Sequence, residues 1–174
     1  MLRTDKLSLG ASQPSLCKRS TVALVALIAT MSAASSVRAD VLATATRTNL
    51  ITGGGTQVVA LPLTNNDRST RLVFSTTVAQ QKVVITYNAE CQVKGGGFVV
   101  VTVNVDGTEA DPASGTNFAL CTSAPGNASQ PVGAVRQSVF IVGTPGTHSV
   151  EVDAVLSVAS GGWQLDDTSL VVEK

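Results

Sequence analysis

The sequence predicts an all-β fold, an antiparallel β-sandwich of jelly-roll type with about eight to nine strands and one disulfide. Three observations predict it. After residue 40, apolar and polar residues alternate along most of the chain, no segment shows helical spacing, and turn residues separate the alternating runs. The abundant β-branched residues Val and Thr suit pleated strands. Side chains that alternate in this way are sheltered when two sheets stack face to face.

The N-terminal residues have the three parts of an export leader. A basic lead ends at Lys18 and Arg19, the apolar run TVALVALIAT follows at 21–30, and a tail of mostly small residues comes next. The apolar run is about half of the ~20 residues that cross a bilayer as a helix. We therefore expect a leader, with no membrane span after its removal; the alternative is an N-terminal helix that is retained.

The predicted cleavage site defines the domain organisation. Val37 and Ala39 occupy the −3 and −1 positions of a peptidase site, which places the cut before Asp40. The sequence thus predicts a signal peptide at 1–39 and a single β-sandwich domain at 40–174. The product would be secreted, either to a periplasm or outside the cell.

Charge and cysteine content agree with this division. Five of the twelve cations and one of the twelve acids lie in the leader, so the mature domain carries a net charge of −4. A mildly acidic surface without a basic cluster makes nucleic acid an unfavourable partner. Removal of Cys17 leaves the pair Cys91 and Cys121, which we expect to form a disulfide in an oxidising compartment. Two separate buried thiols are the alternative.

The strands are predicted one by one from alternation and from the turns between them. The clearest has Val83, Ile85 and Tyr87 on its dry face and polar residues opposite; Asp106-Gly107 is the strongest hairpin turn. Residues 51–56 (ITGGGT) are predicted to be a flexible loop. The nine predicted strands are 41–46, 57–63, 71–77, 82–93, 98–105, 117–122, 135–142, 148–158 and 163–173.

Four stretches of residues 71–174 resemble the jelly-roll heads of the C1q/TNF-like superfamily and similar bacterial secreted sandwiches. They are FSTTVAQQKVVITYNAECQV, FVVVTVNVDG, VFIVGTPGTHSVEVDAVL and LDDTSLVVEK. The shared features are the Val105-Asp106-Gly107 turn, the Gly146-Thr147-His148-Ser149-Val150 strand start and the final Ser169-Leu170-Val171-Val172-Glu173 strand. The resemblance implies a jelly roll and, for an assembly, a trimer.

Residue types suited to catalysis are scarce. The mature chain has one histidine, His148, in the inward phase of its strand, which favours packing over a role as a base. Zinc-ligand spacing and a phosphate-binding glycine loop are both absent from the sequence. The acids Asp106, Glu109 and Asp111 fall in one turn, where solvated carboxylates explain them better than a calcium site does. We therefore predict a non-enzyme without a cofactor or metal.

The most binding-like cluster is Trp163 with Gln164, Asp166 and Asp167. Sugar rings stack on indole while amides and acids bind the hydroxyls; the competing interpretation, which we favour, places Trp163 in the core. The leading functional hypothesis is a non-catalytic module for surface interaction or assembly. Its partner would be a protein or a glycan, and the sequence leaves open whether the domain also associates with itself. The alternative is a carbohydrate-binding module centred on Trp163 and the nearby acids.

Overall fold

The computed structural model describes residues 39–66, 68–113 and 118–174, in which eleven strands form. The predicted leader, up to residue 38 and including Cys17, lies outside the described residues, so export and cleavage stay predictions. No helix long and apolar enough to cross a membrane occurs in the described part of the chain. In chain order the strands are β1 (Val41–Arg47), β2 (Ile51–Gly54), β3 (Val59–Ala60), β4 (Arg71–Thr76), β5 (Gln81–Lys94), β6 (Gly97–Val105), β7 (Thr108–Glu109), β8 (Ala119–Ser123), β9 (Val132–Val142), β10 (Gly146–Leu156) and β11 (Gly162–Glu173).

The strands form two antiparallel sheets in jelly-roll order. Sheet A has the order β1-β11-β5-β9, and β2 continues the β1 edge by pairing with β11. Sheet B has the order β3-β10-β6-β7, with β4 also on β10 and β8 also on β6. When only the eight strands of five or more residues are counted and renumbered 1 to 8 in chain order, sheet A has the order 1-8-3-6 and sheet B has the order 2-7-4-5. These orders correspond to two interlocked Greek keys. The predicted fold class is confirmed, and three short strands at the edges, β2, β3 and β7, bring the count to eleven.

Period-two alternation produces the core between the sheets. The inward residues of β5 are all less than 5% exposed, as predicted, because every second side chain points away from solvent. Valines of β6 and β10 face them from sheet B. The residues of these three strands in the hydrophobic core cluster are Val83, Ile85, Tyr87, Ala89, Cys91, Val93, Val99, Val101, Val103, Val105, Val150, Val152, Ala154 and Leu156.

The predicted hairpin turn between β6 and β7 is confirmed. Asp106 and Gly107 have φ angles of 50° and 80°, the pair of left-handed conformations that a tight two-residue turn requires. Aspartate tolerates this region because its short side chain bonds locally, and glycine has no side chain to clash.

The prediction of a loop at 51–56 was wrong over its first four residues. They form β2, in which Gly53 lies opposite Trp163 on β11. A Cβ atom at Gly53 would come within 2.2 Å of the indole, so the missing side chain makes room for the ring. Glycine carries no apolar signal, and this hid the strand from pattern analysis.

The predicted strand at 57–63 shrinks to the two residues of β3. Leu61 still donates a backbone hydrogen bond to Val152 at 2.8 Å, but Pro62 has no N–H with which to continue the ladder. A proline therefore ends the pairing at this edge of sheet B.

The predicted disulfide between Cys91 and Cys121 is confirmed. Its two Cα atoms are 6.1 Å apart. Cys91 lies on β5 in the middle of sheet A, while Cys121 lies on β8 at an edge of sheet B. The bond therefore ties the two sheets together across the core.

Candidate functional site

Trp163, the proposed sugar-stacking residue, packs inside the sandwich. It is 1% exposed, and its indole lies against the backbone of Gly53. The indole N–H has no hydrogen-bond partner among the described residues. The structure therefore places Trp163 in the core, in agreement with the interpretation that the sequence favoured. The ring is consequently not available as a platform for a sugar.

The neighbours of Trp163 point the other way, onto the outer face of sheet A. Gln164 pairs with Gln92 of β5, and Asp166 pairs with Glu90 of the same strand. Together they lie in a shallow pocket of about 100 Å³. We call it the outer-face pocket; it is lined by Leu50, Glu90, Gln92, Pro131, Gln164 and Asp166.

Backbone contacts orient two of the polar side chains in the outer-face pocket. Gln92 Nε2 donates to the carbonyl of Ser129 at 2.8 Å, which fixes the plane of the amide. Asp166 Oδ1 accepts the backbone N–H of Asp167 at 3.0 Å. These bonds reduce the side-chain entropy that a ligand would otherwise have to restrict.

Asp167, the fourth predicted ligand, lies beside the pocket without lining it. It has a φ angle of 45°, and β11 shifts register against β5 between Asp166 and Ser169. Such a bulge redirects the side chains around it. The contribution of Asp167 to the pocket is the N–H that holds Asp166.

The outer-face pocket brings two acidic side chains together. Glu90 and Asp166 are direct cross-strand neighbours on β5 and β11. Carboxylate oxygens accept hydrogen bonds and donate none. The pair therefore suits a ligand that donates hydrogen bonds, as hydroxyl groups do.

The sequence signal for this site was incomplete. Gln164 and Asp166 were recognised because they follow Trp163, whereas Glu90 and Gln92 were seen only as the wet face of their strand. Their relevance depends on β5 lying next to β11, which is a pairing between distant parts of the chain.

Two of the acidic residues around the β6–β7 hairpin contribute to the structure, Asp106 through its carboxylate and Asp111 through its backbone. Asp106 accepts hydrogen bonds from the backbone N–H of Ser149 at 2.8 Å, and Asp111 forms a two-way backbone bridge with Val139 of β9. Within the described ranges, no three His, Cys, Asp or Glu residues are grouped so that they could hold a metal ion.

His148 lies at the start of β10, 8% exposed, with acceptors at both ring nitrogens. Nδ1 is 2.7 Å from Asp106 Oδ2, and Nε2 is 3.1 Å from the carbonyl oxygen of Thr144. Partial burial raises the pKa of Asp106, but the hydrogen bonds from His148 and Ser149 outweigh this effect and hold the pKa below its usual value.

The hydroxyl of Thr76, the imidazole of His148 and the carboxylate of Asp106 lie in the same order as the groups of a hydrolytic triad. Thr76 Oγ1 lies 3.4 Å from Nε2, further away than the Thr144 carbonyl oxygen. Nε2 therefore lies closer to a carbonyl oxygen, which can only accept a hydrogen bond, than to the threonine hydroxyl that a triad would require as its partner. Both side chains are also buried, so a substrate has no access to them.

Comparisons with known proteins give only distant matches. No family model matches the chain, and no curated protein matches it. Among solved structures, one match is the C-terminal domain of EclA, described as a sugar-binding protein: 12% identity, TM-score 0.38, covering 71% of this chain and 78% of that one. Another is the CBM22-1 xylan-binding domain of Xyn10C from Paenibacillus barcinonensis: 11% identity, TM-score 0.32, covering 78% of this chain and 96% of that one. The structure shows the all-β sandwich architecture, and the C1q/TNF-like assignment stays a prediction.

Proposed function

We propose that the mature domain is a secreted, non-catalytic module that binds neutral glycans through the outer-face pocket. The observation that carries the proposal is the meeting of two carboxylates and two amides on one face of sheet A. These groups match the vicinal hydroxyls of a sugar, while Leu50 and Pro131 offer small apolar surfaces at the sides. An acidic pocket would disfavour an anionic sugar.

Two further features support parts of this proposal. The Cys91–Cys121 disulfide suits an oxidising compartment, as export through the predicted leader would provide. The buried His148, bonded at both ring nitrogens, suits a stabilising role better than a catalytic one. The carboxylates and amides of the pocket, which accept hydrogen bonds from sugar hydroxyls, would provide the specificity in place of an aromatic ring.

The outer-face pocket is tested by removing one negative charge at a time. We expect Glu90→Gln and Asp166→Asn each to weaken binding on a neutral glycan array about tenfold, because a charge-assisted hydrogen bond is worth roughly 1.5–3 kcal/mol. The matched control is Glu173→Gln, the same change on the outer face of the same sheet but at the far end of β11, which should bind like the wild type.

The two halves of the proposal have separate contradictory outcomes. Equal binding by all four proteins, or binding by none of them, would exclude the outer-face pocket as a glycan site. Release of reducing ends from a bound glycan by the wild type would instead contradict the non-catalytic role.

Self-assembly is a second candidate function, favoured by exposed apolar side chains on β9, the edge strand of sheet A that is bridged by Asp111 only at Val139 in the described residues. The edge strand β9 carries Val135 at 64% and Ile141 at 58% exposure. Edge strands with exposed apolar residues pair readily with another chain, and an inserted lysine prevents this. We expect light scattering after size exclusion to show a dimer or larger species at micromolar concentration, and Val135→Lys to return it to a monomer. A wild-type monomer would exclude assembly, including the trimer implied by the C1q/TNF-like resemblance.

A further inference from the structure

A second and larger cavity lies at the edge of the sandwich, away from the outer-face pocket. It is a groove of about 530 Å³ where the end of β1 meets the segment between β3 and β4. Cavities of about this volume hold small ligands in many proteins. We call it the edge groove; it is lined by Arg47, Ala60, Pro62, Asn65, Asn66, Arg68 and Thr70.

Side-chain hydrogen bonds hold the two walls of the edge groove together. Arg47, which extends from β1, donates from Nη1 to the carbonyl of Thr64 at 2.6 Å and from Nε to that of Asn49 at 3.0 Å. From the opposite wall, Asn65 Oδ1 accepts the backbone N–H groups of Thr48 and Asn49 at 2.9 and 3.0 Å. These bonds hold Arg47 and Asn65 in place, which lowers the entropic cost of binding at that part of the groove.

The described lining of the edge groove is cationic in an acidic domain. Two of the seven cations of residues 40–174, Arg47 and Arg68, line it, and none of its described lining residues carries a carboxylate; Asp67, which precedes Arg68 in the chain, lies outside the described residues. Arg47 uses two of its five N–H groups in the contacts above, and the planar fork of a guanidinium matches a carboxylate with two parallel bonds.

Neutral polar groups complete the lining. Asn66 offers an amide and Thr70 a hydroxyl, and both kinds of group bind sugar hydroxyls. A simple inorganic anion would use the guanidinium groups and leave these neighbours without a role. The lining as a whole therefore matches one negative charge flanked by hydroxyls.

We propose that the edge groove binds a sugar acid. Arg47 and Arg68 hold the carboxylate, while Asn66 and Thr70 bind the adjacent hydroxyls. Binding here is independent of the proposed neutral-glycan function, since the surface is different and the ligand has the opposite electrostatic preference. The same chemistry is present in a free hexuronate and in a uronate unit of a polysaccharide.

The proposal is tested by calorimetric titration of the mature domain with glucuronate, in low salt where screening is weak. We expect the wild type to bind, and Arg68→Gln to bind about tenfold more weakly because a charge-assisted contact is lost. Arg68→Lys should fall between them, since it keeps the charge and loses the fork. The matched control is Arg71→Gln, the same change on a neighbouring arginine that pairs with Glu151 outside the groove; it should bind like the wild type.

Competition experiments define the ligand. Glucose should not displace glucuronate, because it differs by lacking the carboxylate, and sulfate at equal concentration should displace it poorly. If a galacturonate trimer binds more tightly than monomeric galacturonate, the natural ligand is a uronate unit of a polysaccharide. Equal binding of the trimer and the monomer indicates that the natural ligand is the free acid. Glu90→Gln should leave glucuronate binding unchanged, which separates this groove from the outer-face pocket.

Several outcomes would overturn the proposal. They are no glucuronate binding by the wild type at millimolar concentration, equal losses in Arg68→Gln and Arg71→Gln, displacement by glucose, and displacement by sulfate as effective as that by glucuronate. A thermal midpoint of Arg68→Gln equal to that of the wild type ensures that lost binding reports on the groove and not on folding.

Discussion

Replacing Trp163 by alanine will lower the free energy of unfolding by about 3–5 kcal/mol, the cost of deleting a large buried ring and leaving a cavity. The indole is 1% exposed, and Gly53 on the neighbouring strand has no side chain that could move into the space. Urea denaturation followed by circular dichroism measures the loss. Fluorescence is unsuitable because Trp163 is the only tryptophan.

Two variants make the interpretation of that result specific. Trp163→Phe should lose less stability because it keeps an aromatic ring in the core, and Gln164→Ala, the next residue on the outward face, should change stability by less than about 0.5 kcal/mol. A stable Trp163→Ala protein that no longer binds glycans would contradict the core assignment and return the indole to the binding surface.

The fold was predictable because alternation is a local property of the sequence. Val83, Ile85 and Tyr87 could be assigned to the core from their spacing alone, and the Asp106-Gly107 turn from its residue types. The prediction failed at β2, where Gly53 supplies no hydrophobic signal although an indole requires its small size. A packing requirement between two strands is invisible in the sequence of either one.

The candidate sites were less predictable because they depend on which strands are neighbours. Glu90 and Asp166 meet only after β5 and β11 pair, and neither residue is unusual in its own segment. The edge groove likewise depends on Arg47 at the end of β1 reaching the carbonyl of Thr64. The sequence indicated two of the four polar lining residues of the outer-face pocket, since Gln164 and Asp166 follow the conspicuous Trp163.

Removing the Cys91–Cys121 disulfide will lower the free energy of unfolding by about 3–4 kcal/mol in the chain-entropy model, a large share of the ~5–15 kcal/mol of a typical domain. The bond closes a loop with a sequence separation of 30 residues. Without it, the unfolded chain gains conformations that the cross-link excludes. A double replacement by alanine is the suitable variant, because both cysteines are buried and serine would bring hydroxyl groups into the core.

The position of the bond predicts where the loss begins. Cys121 lies on β8, an edge strand of five residues, whereas Cys91 is anchored in the middle of sheet A between β11 and β9. Hydrogen exchange in the double-alanine variant should therefore rise most in β8, because a short edge strand has few other contacts to hold it. The control is the wild type after reduction, which should show the same pattern. A uniform rise across both sheets would contradict the local loosening of β8, and an unchanged urea midpoint would mean that core packing alone holds β8 against sheet A.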